Sequence, residues 1–209
     1  MSALERIAYF RNRRDEVPNQ ELARDLAARQ DREGIQEIAQ NVWHKNPAVQ
    51  SDCLKVLYEI GYLDPALVAD YAADFLKLLT SKHNRLAWGG AIALSTIAAL
   101  KADEIYPHIA EIQAAMDGGS VITRDNGVKV LAEVAAQQAT YNRKLFPYLL
   151  KHLETCRPKD VPQHAEKIVV AVNAKNRDEF SRVLNARLTD LNASQAARIK
   201  KLLKQVSQL

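Results

Sequence analysis

At 209 residues the chain is long enough to build its own core, and two cysteines, Cys53 and Cys156, are too few for a disulfide scaffold, so reduced thiols are expected. Hydrophobic residues make up 47% and aromatics only 6%, which leaves the apolar surface to Ala, Leu, Ile and Val and favours closely packed helices. No apolar run reaches the roughly 18 residues of a membrane span, the start MSALERIAYFRNRRDE lacks the apolar core of a secretory signal, and the net charge is a modest +4, so a cytoplasmic location without membrane contact is expected.

The first 33 residues predict capping helices. Ser2 with Glu5 has the spacing of a capping box, and Asn19 opens NQELARDLAARQ, whose Leu22, Ala23, Leu26 and Ala27 form a narrow apolar face. From residue 34 a period of 37 residues takes over. Ile35, Ala72, Ile109 and Phe146 fall in one column, Ile38, Phe75, Ile112 and Leu149 in a second, and Val42, Leu79, Met116 and Leu153 in a third. Their offsets of three and four within each copy describe one face of a helix, here helix A. Turns follow at HKNP, SKHN, DGGS and RPKDVP, each rich in turn-forming residues.

A second helix, B, keeps the same period. Leu54, Ala91, Val128 and Ala165 form one column, Leu57, Leu94, Leu131 and Ile168 another, and Ile60, Ile97, Val134 and Ala171 a third. Joints between copies fall at YLDP, LKADE, QATYN and AKNRDE, where Asp, Asn or Thr can cap the next helix. The reading is four A–B hairpins over 34–178 and capping helices over 179–209, the last of them carrying Ile199, Leu202, Leu203 and Val206 on one side. All are expected to form one continuous all-α domain.

Entry into helix B carries a further pattern. It reads Asn46, Val49-Gln50 and Cys53 in the first copy and His83, Leu86-Ala87 and Gly90 in the second. The third has Ser120, Thr123-Arg124 and Gly127, and the fourth Val161-Pro162 and Ala165. Together with the apolar columns this resembles the HEAT/armadillo-like helical repeat family, although only Arg124 keeps the arginine usual at that place. The resemblance implies a right-handed α-solenoid whose B helices line a concave, partner-binding face, and hence a non-catalytic protein-binding scaffold.

Gly90 shares its column with Cys53 and Gly127, as expected where helix B approaches a neighbour closely. Gly89 shares a polar row with Asp52, Asn126 and Gln163, where packing asks for no glycine, and Trp88 stands beside it on the open or rim side of helix B. A rigid ring next to such a gap is a candidate hot spot for a protein or peptide partner, the alternative being that Trp88 packs over the adjacent repeat. The expected binding set is Trp88, Arg85, Gly89, Asp52, Lys55, Arg124, Asp125 and Lys129, weighed against an ordinary solvated row of mixed charge.

Charge is distributed unevenly. Residues 141–209 carry fourteen basic and six acidic side chains, and Lys200, Lys201 and Lys204 could meet phosphates or face water on a capping helix. A nucleic-acid-binding alternative follows from the resemblance too, because the DNA alkylation repair glycosylases are HEAT-like proteins of similar size. Trp43 and Trp88 are the only tryptophans here, however, and the residues one turn after them are Pro47 and Ile92 rather than acids. No phosphate loop, nucleophile elbow or H-E-x-x-H helix occurs. His152 and Cys156 share a helix face and His164 follows a loop, but the spacing lacks the paired ligands of a structural zinc site. No catalytic residue, metal or other cofactor is expected.

Overall fold

The computed structural model describes residues 2–208, which form helices and short 3-10 turns and no strand. The chain divides into two compact units, one ending at Gly127 and the other beginning at Val128. The helices, in chain order, are α1 (Val17–Arg29), α2 (Arg32–Gln40), α3 (Pro47–Leu63), α4 (Ala72–Leu78), α5 (Asn84–Ile97) and α6 (Ala102–Ile105). They continue with α7 (Ile109–Gly118), α8 (Val121–Gln137), α9 (Ala139–Thr155), α10 (Val161–Ile168), α11 (Arg177–Arg187) and α12 (Ala193–Val206).

The helices start where short polar side chains satisfy the first amides. Asp31 accepts from Gly34 N ahead of α2, and Asn46 accepts from Ala48 N with Pro47 opening α3. Asn192 and Gln195 form a reciprocal capping box at α12. The Ser2–Glu5 box also forms, at 3.3 and 3.4 Å, but it opens only a single 3-10 turn rather than a capping helix. Nor does Asn19 open a helix: α1 begins two residues earlier with Pro18 in its first turn, and Asn19 sits inside it, buried.

In the first unit α3 packs against α1, α2 and α5, and α5 packs against α4. Every residue of the three helix-B columns is buried, as are the helix-A columns apart from the half-buried Ile109. Helix A is the irregular member of the first three pairs, whereas in the fourth α9 runs unbroken and α10 ends in a 3-10 turn. Two 3-10 turns precede α4, and Pro107 lies in the 3-10 turn between α6 and α7.

The second unit depends on two polar devices absent from the column pattern. Asn142 Nδ2 donates to Ala171 O at 2.7 Å while its Oδ1 accepts from Asn176 Nδ2 at 3.0 Å, an asparagine pair joining the starts of α9 and α11. Arg187, nearly buried on α11, donates through Nη1 to Leu153 O and Glu154 O and through Nη2 to Cys156 O, with Nε on Asp190. One guanidinium thus satisfies carbonyls that the end of α9 leaves without helical partners.

The close approach expected at Gly90 is present. A Cβ added there would lie 2.8 Å from Leu78 Cβ and 3.0 Å from Phe75 O, atoms fixed to the backbone of α4. Overpacking of this kind costs about 1–3 kcal/mol, against about 1 kcal/mol gained from replacing a helical glycine by alanine. Gly90→Ala is therefore expected to lower stability in urea unfolding, by up to about 2 kcal/mol. Gly118→Ala in α7, where an added Cβ meets nothing within 4 Å, is expected to be neutral or stabilising.

Candidate functional site

The N-terminal segment, α3 and α5 enclose a cavity of about 330 Å³ in the first unit, near the lower end of the ~300–1,000 Å³ usual for ligand sites. From α3 come Ser51, Asp52, Lys55 and Tyr58, spaced to lie on one helical face, and from α5 come Arg85, Trp88 and Gly89, one turn apart. The segment before α1 and its first turns supply Tyr9, Arg13, Arg14, Asp15, Glu16 and Asn19. Five of the residues singled out in the sequence, Trp88, Arg85, Gly89, Asp52 and Lys55, are brought together here.

Their chemical situations differ. Both oxygens of Asp52 are engaged, Oδ2 by the Tyr9 amide at 2.8 Å and Oδ1 by Asn19 Nδ2 at 2.9 Å. Asn19 in turn accepts the Ala8 amide at 2.8 Å, and the Tyr9 hydroxyl accepts from Asn46 Nδ2 at 2.7 Å. Asn12 takes a left-handed conformation at φ 52°, which asparagine tolerates, and the Arg13 amide closes the turn on Ala8 O. Asp52 therefore pins the N-terminal segment along α3.

Lys55 is also committed. Its Nζ lies 2.8 Å from Glu16 Oε2, 2.7 Å from Glu59 Oε1 and 4.9 Å above the Tyr58 ring, with only 11% of the side chain exposed. Burial works against the charge, but the two carboxylates outweigh it and hold the ammonium above the ordinary lysine pKa.

Gly89 departs from its reading as a position that packing leaves open. It is buried, and an added Cβ would lie 2.6 Å from Leu54 Cδ2 and 3.1 Å from Leu54 Cγ, so the gap beside Trp88 is a close contact between α5 and α3. Asn126, from the same polar row, lies with Oδ1 3.2 Å from Ser95 Oγ on α5. Trp88 is half-buried and Arg85 exposed. Arg13 pairs with Asp15 at 2.7 Å, whereas Arg14 and Arg85 have no ion pair among the described residues. What the cavity offers is an aromatic ring together with guanidinium groups, the neighbouring acids being occupied internally.

Other candidates lie elsewhere. Arg124 and Asp125 are half-buried on α8 and do not line the cavity, and Lys129 falls in the second unit. Lys200, Lys201 and Lys204 are exposed on α12, opposite the buried Ile199, Leu202 and Val206. Trp43 is held by its Nε1–Asp74 hydrogen bond at 2.8 Å and by Lys77 Nζ 4.5 Å over its ring. The segment from Tyr9 to Asn19 is the part that sequence reasoning missed, and the one signal for it was Asn19, a polar residue on the otherwise apolar side of α1.

Comparison with protein-family models and with curated proteins finds no match. Among solved structures, an engineered protein superimposes with a TM-score of 0.69 at 17% identity over 100% of this chain and 98% of its own. A designed armadillo repeat protein in complex with the peptide (KR)4 gives a TM-score of 0.64 at 14% identity, covering 97% of each chain. A Kap121p mutant gives 0.63 at 18% identity over 90% of this chain and 20% of that one. The fold is all-α and HEAT/armadillo-like. Among the described residues no helix is long and apolar enough to cross a membrane.

Removing the Asp52 carboxylate tests how the segment is held. A hydrogen bond to a charged group contributes about 1.5–3 kcal/mol, so Asp52→Ala is expected to speed amide exchange at Tyr9 by about tenfold or more. Hydrogen–deuterium exchange over residues 8–19 reads this directly, and unchanged protection would assign the anchoring to other contacts.

Proposed function

We propose that this protein, with its HEAT/armadillo-like fold, is a non-catalytic scaffold whose first unit binds an extended acidic segment of a partner protein at the α3–α5 cavity. The observation that carries the reading is the pairing of a half-buried Trp88 with Arg85 and Arg14, cations without an acidic partner among the described residues. A large rigid ring contributes contact area at little entropic cost, and a guanidinium recognises a carboxylate through two parallel hydrogen bonds. Fold neighbours include a repeat protein in complex with a peptide, which supports this class of ligand. That peptide is basic, whereas the open charges of this cavity are basic themselves and call for the opposite sign.

Asp52 and Lys55 enter this reading as supports. They fix the wall from which Arg13 and Arg14 project, while Gly89 brings α5 close to α3 so that Trp88 reaches the cavity. Arg124 and Asp125 stay in the proposal as contacts for the continuation of a bound segment, and Lys129 stays a proposed binding residue of the second unit. A nucleic-acid partner gains nothing specific here, since both aspartates at the cavity are consumed, Asp52 by the Tyr9 amide and Asn19 and Asp15 by Arg13.

The test is fluorescence anisotropy with a set of labelled peptides, alternating Asp or Glu with apolar residues, against matched basic peptides. Saturable binding of acidic peptides is expected, weakened at least tenfold by Trp88→Ala and by Arg85→Glu, about 1.4 kcal/mol or more. Affinity unchanged by both substitutions, or preference for the basic peptides, would remove the assignment.

A further inference from the structure

His152 and Cys156 lie one turn apart at the end of α9, and His164 lies on α10 across a five-residue connection. The structure brings all three together. His152 Nε2 and His164 Nδ1 face each other at 2.9 Å with ring centroids 4.8 Å apart, and one ligand atom from each of the three residues falls within 4.8 Å of the others. His164 is fully buried, and the other two are half-buried.

Their position in the repeat makes the cluster unusual. His152 and His164 fall two 37-residue periods after Leu78 and Gly90, the pair that forms the close crossing of α4 and α5. Where the second hairpin crosses through glycine on leucine, the fourth places two imidazoles and a thiol. Packing alone does not favour this, because burying polar rings costs free energy that an apolar pair avoids. Two imidazoles and a thiol form a borderline-soft nitrogen and sulfur donor set, the set that selects zinc over calcium or magnesium.

We propose that His152, Cys156 and His164 form a site for one zinc ion that closes the α9–α10 hairpin. Zinc–nitrogen bonds of about 2.0–2.1 Å and a zinc–sulfur bond of about 2.3 Å set ligand separations of about 3.3–3.6 Å in a tetrahedron. The imidazoles then part by about half an ångström and the thiol closes on them, movements within the reach of side-chain rotation. The Cys156 S–H bond breaks as the S–Zn bond forms and its proton leaves to solvent, both histidines binding as neutral imidazoles. Three protein ligands leave a fourth position for water, which the half-buried side of the cluster can admit. Arg187 acts behind the site: its bonds to Leu153 O, Glu154 O and Cys156 O fix the turn of α9 that presents the thiol.

Cobalt(II) titration of the tag-free, metal-stripped full-length protein tests this, because tetrahedral cobalt with a thiolate ligand has intense ligand-field bands and a charge-transfer band. One equivalent is expected, displaced by zinc. Cys156→Ser, which keeps the side-chain shape, is expected to abolish the charge-transfer band, and His152→Ala to weaken binding by at least about tenfold. Zinc is also expected to protect Cys156 from alkylation, while Cys53, fully buried with its thiol pushed up to about 12 by burial, stays unreactive with or without metal. Absence of saturable cobalt uptake by the wild-type protein, or a spectrum that Cys156→Ser leaves unchanged, would overturn the site.

Discussion

The structure depends on helices crossing where one of them has almost no side chain. In α5 that place is Gly90, set against Leu78 and the Phe75 carbonyl, and in α8 it is Gly127, set against Met116. The first copy has Cys53 there, fully buried. Once this contact fixes the distance between helices, the columns at Leu54, Leu57 and Ile60 and their repeats must meet the core. The residue just before the crossing point is turned by about 100°, away from the hairpin's own partner. Asp52 there reaches Asn19 and Tyr9, Asn126 approaches Ser95, and Gly89 presses on Leu54. The polar row is thus a row of attachments between successive helices, and the cavity follows from where its first member attaches.

This explains what was legible in the sequence and what was not. Apolar columns announce themselves because burial repeats with the helix period, and every helix-B column residue is indeed buried. A polar side chain at helical spacing shows only the face on which it stands. Asp52 and Lys55 read as open contacts because nothing periodic signals that Tyr9, Asn19 and Glu16 cover them from more than thirty residues away. Asn19 read as a helix cap for the same reason, since its chemistry suits a cap and its buried role needs Ala8 and Asp52 in place. Arg187 carries no sequence signal at all for the three carbonyls it holds.

Pairing also sets the sign of the cavity against the local composition. Residues 34–140 carry eight basic and twelve acidic side chains, which suggests an acidic surface. At the cavity the acids are consumed: Asp15 by Arg13, Glu16 and Glu59 by Lys55, and Asp52 by an amide and Asn19. Arg14 and Arg85 remain, and a recess walled by protein screens their field less than open solvent would. The local excess of positive charge thus arises from the way the N-terminal segment is tied down.

The second and fourth hairpins solve one geometric problem with different chemistry. Glycine on leucine at 90 and 78 is a crossing made by direct contact. The imidazoles at 152 and 164 meet through a hydrogen bond in a place closed to solvent on the His164 side. A typical intramolecular hydrogen bond contributes only about 1 kcal/mol net. A metal bound by three side chains contributes far more, and only when present. Arg187 already secures the end of α9 without it, so the ion acts on the α9–α10 crossing itself and leaves the rest of the helix intact. The fourth hairpin is therefore one whose closure responds to its surroundings, where the second is held by shape.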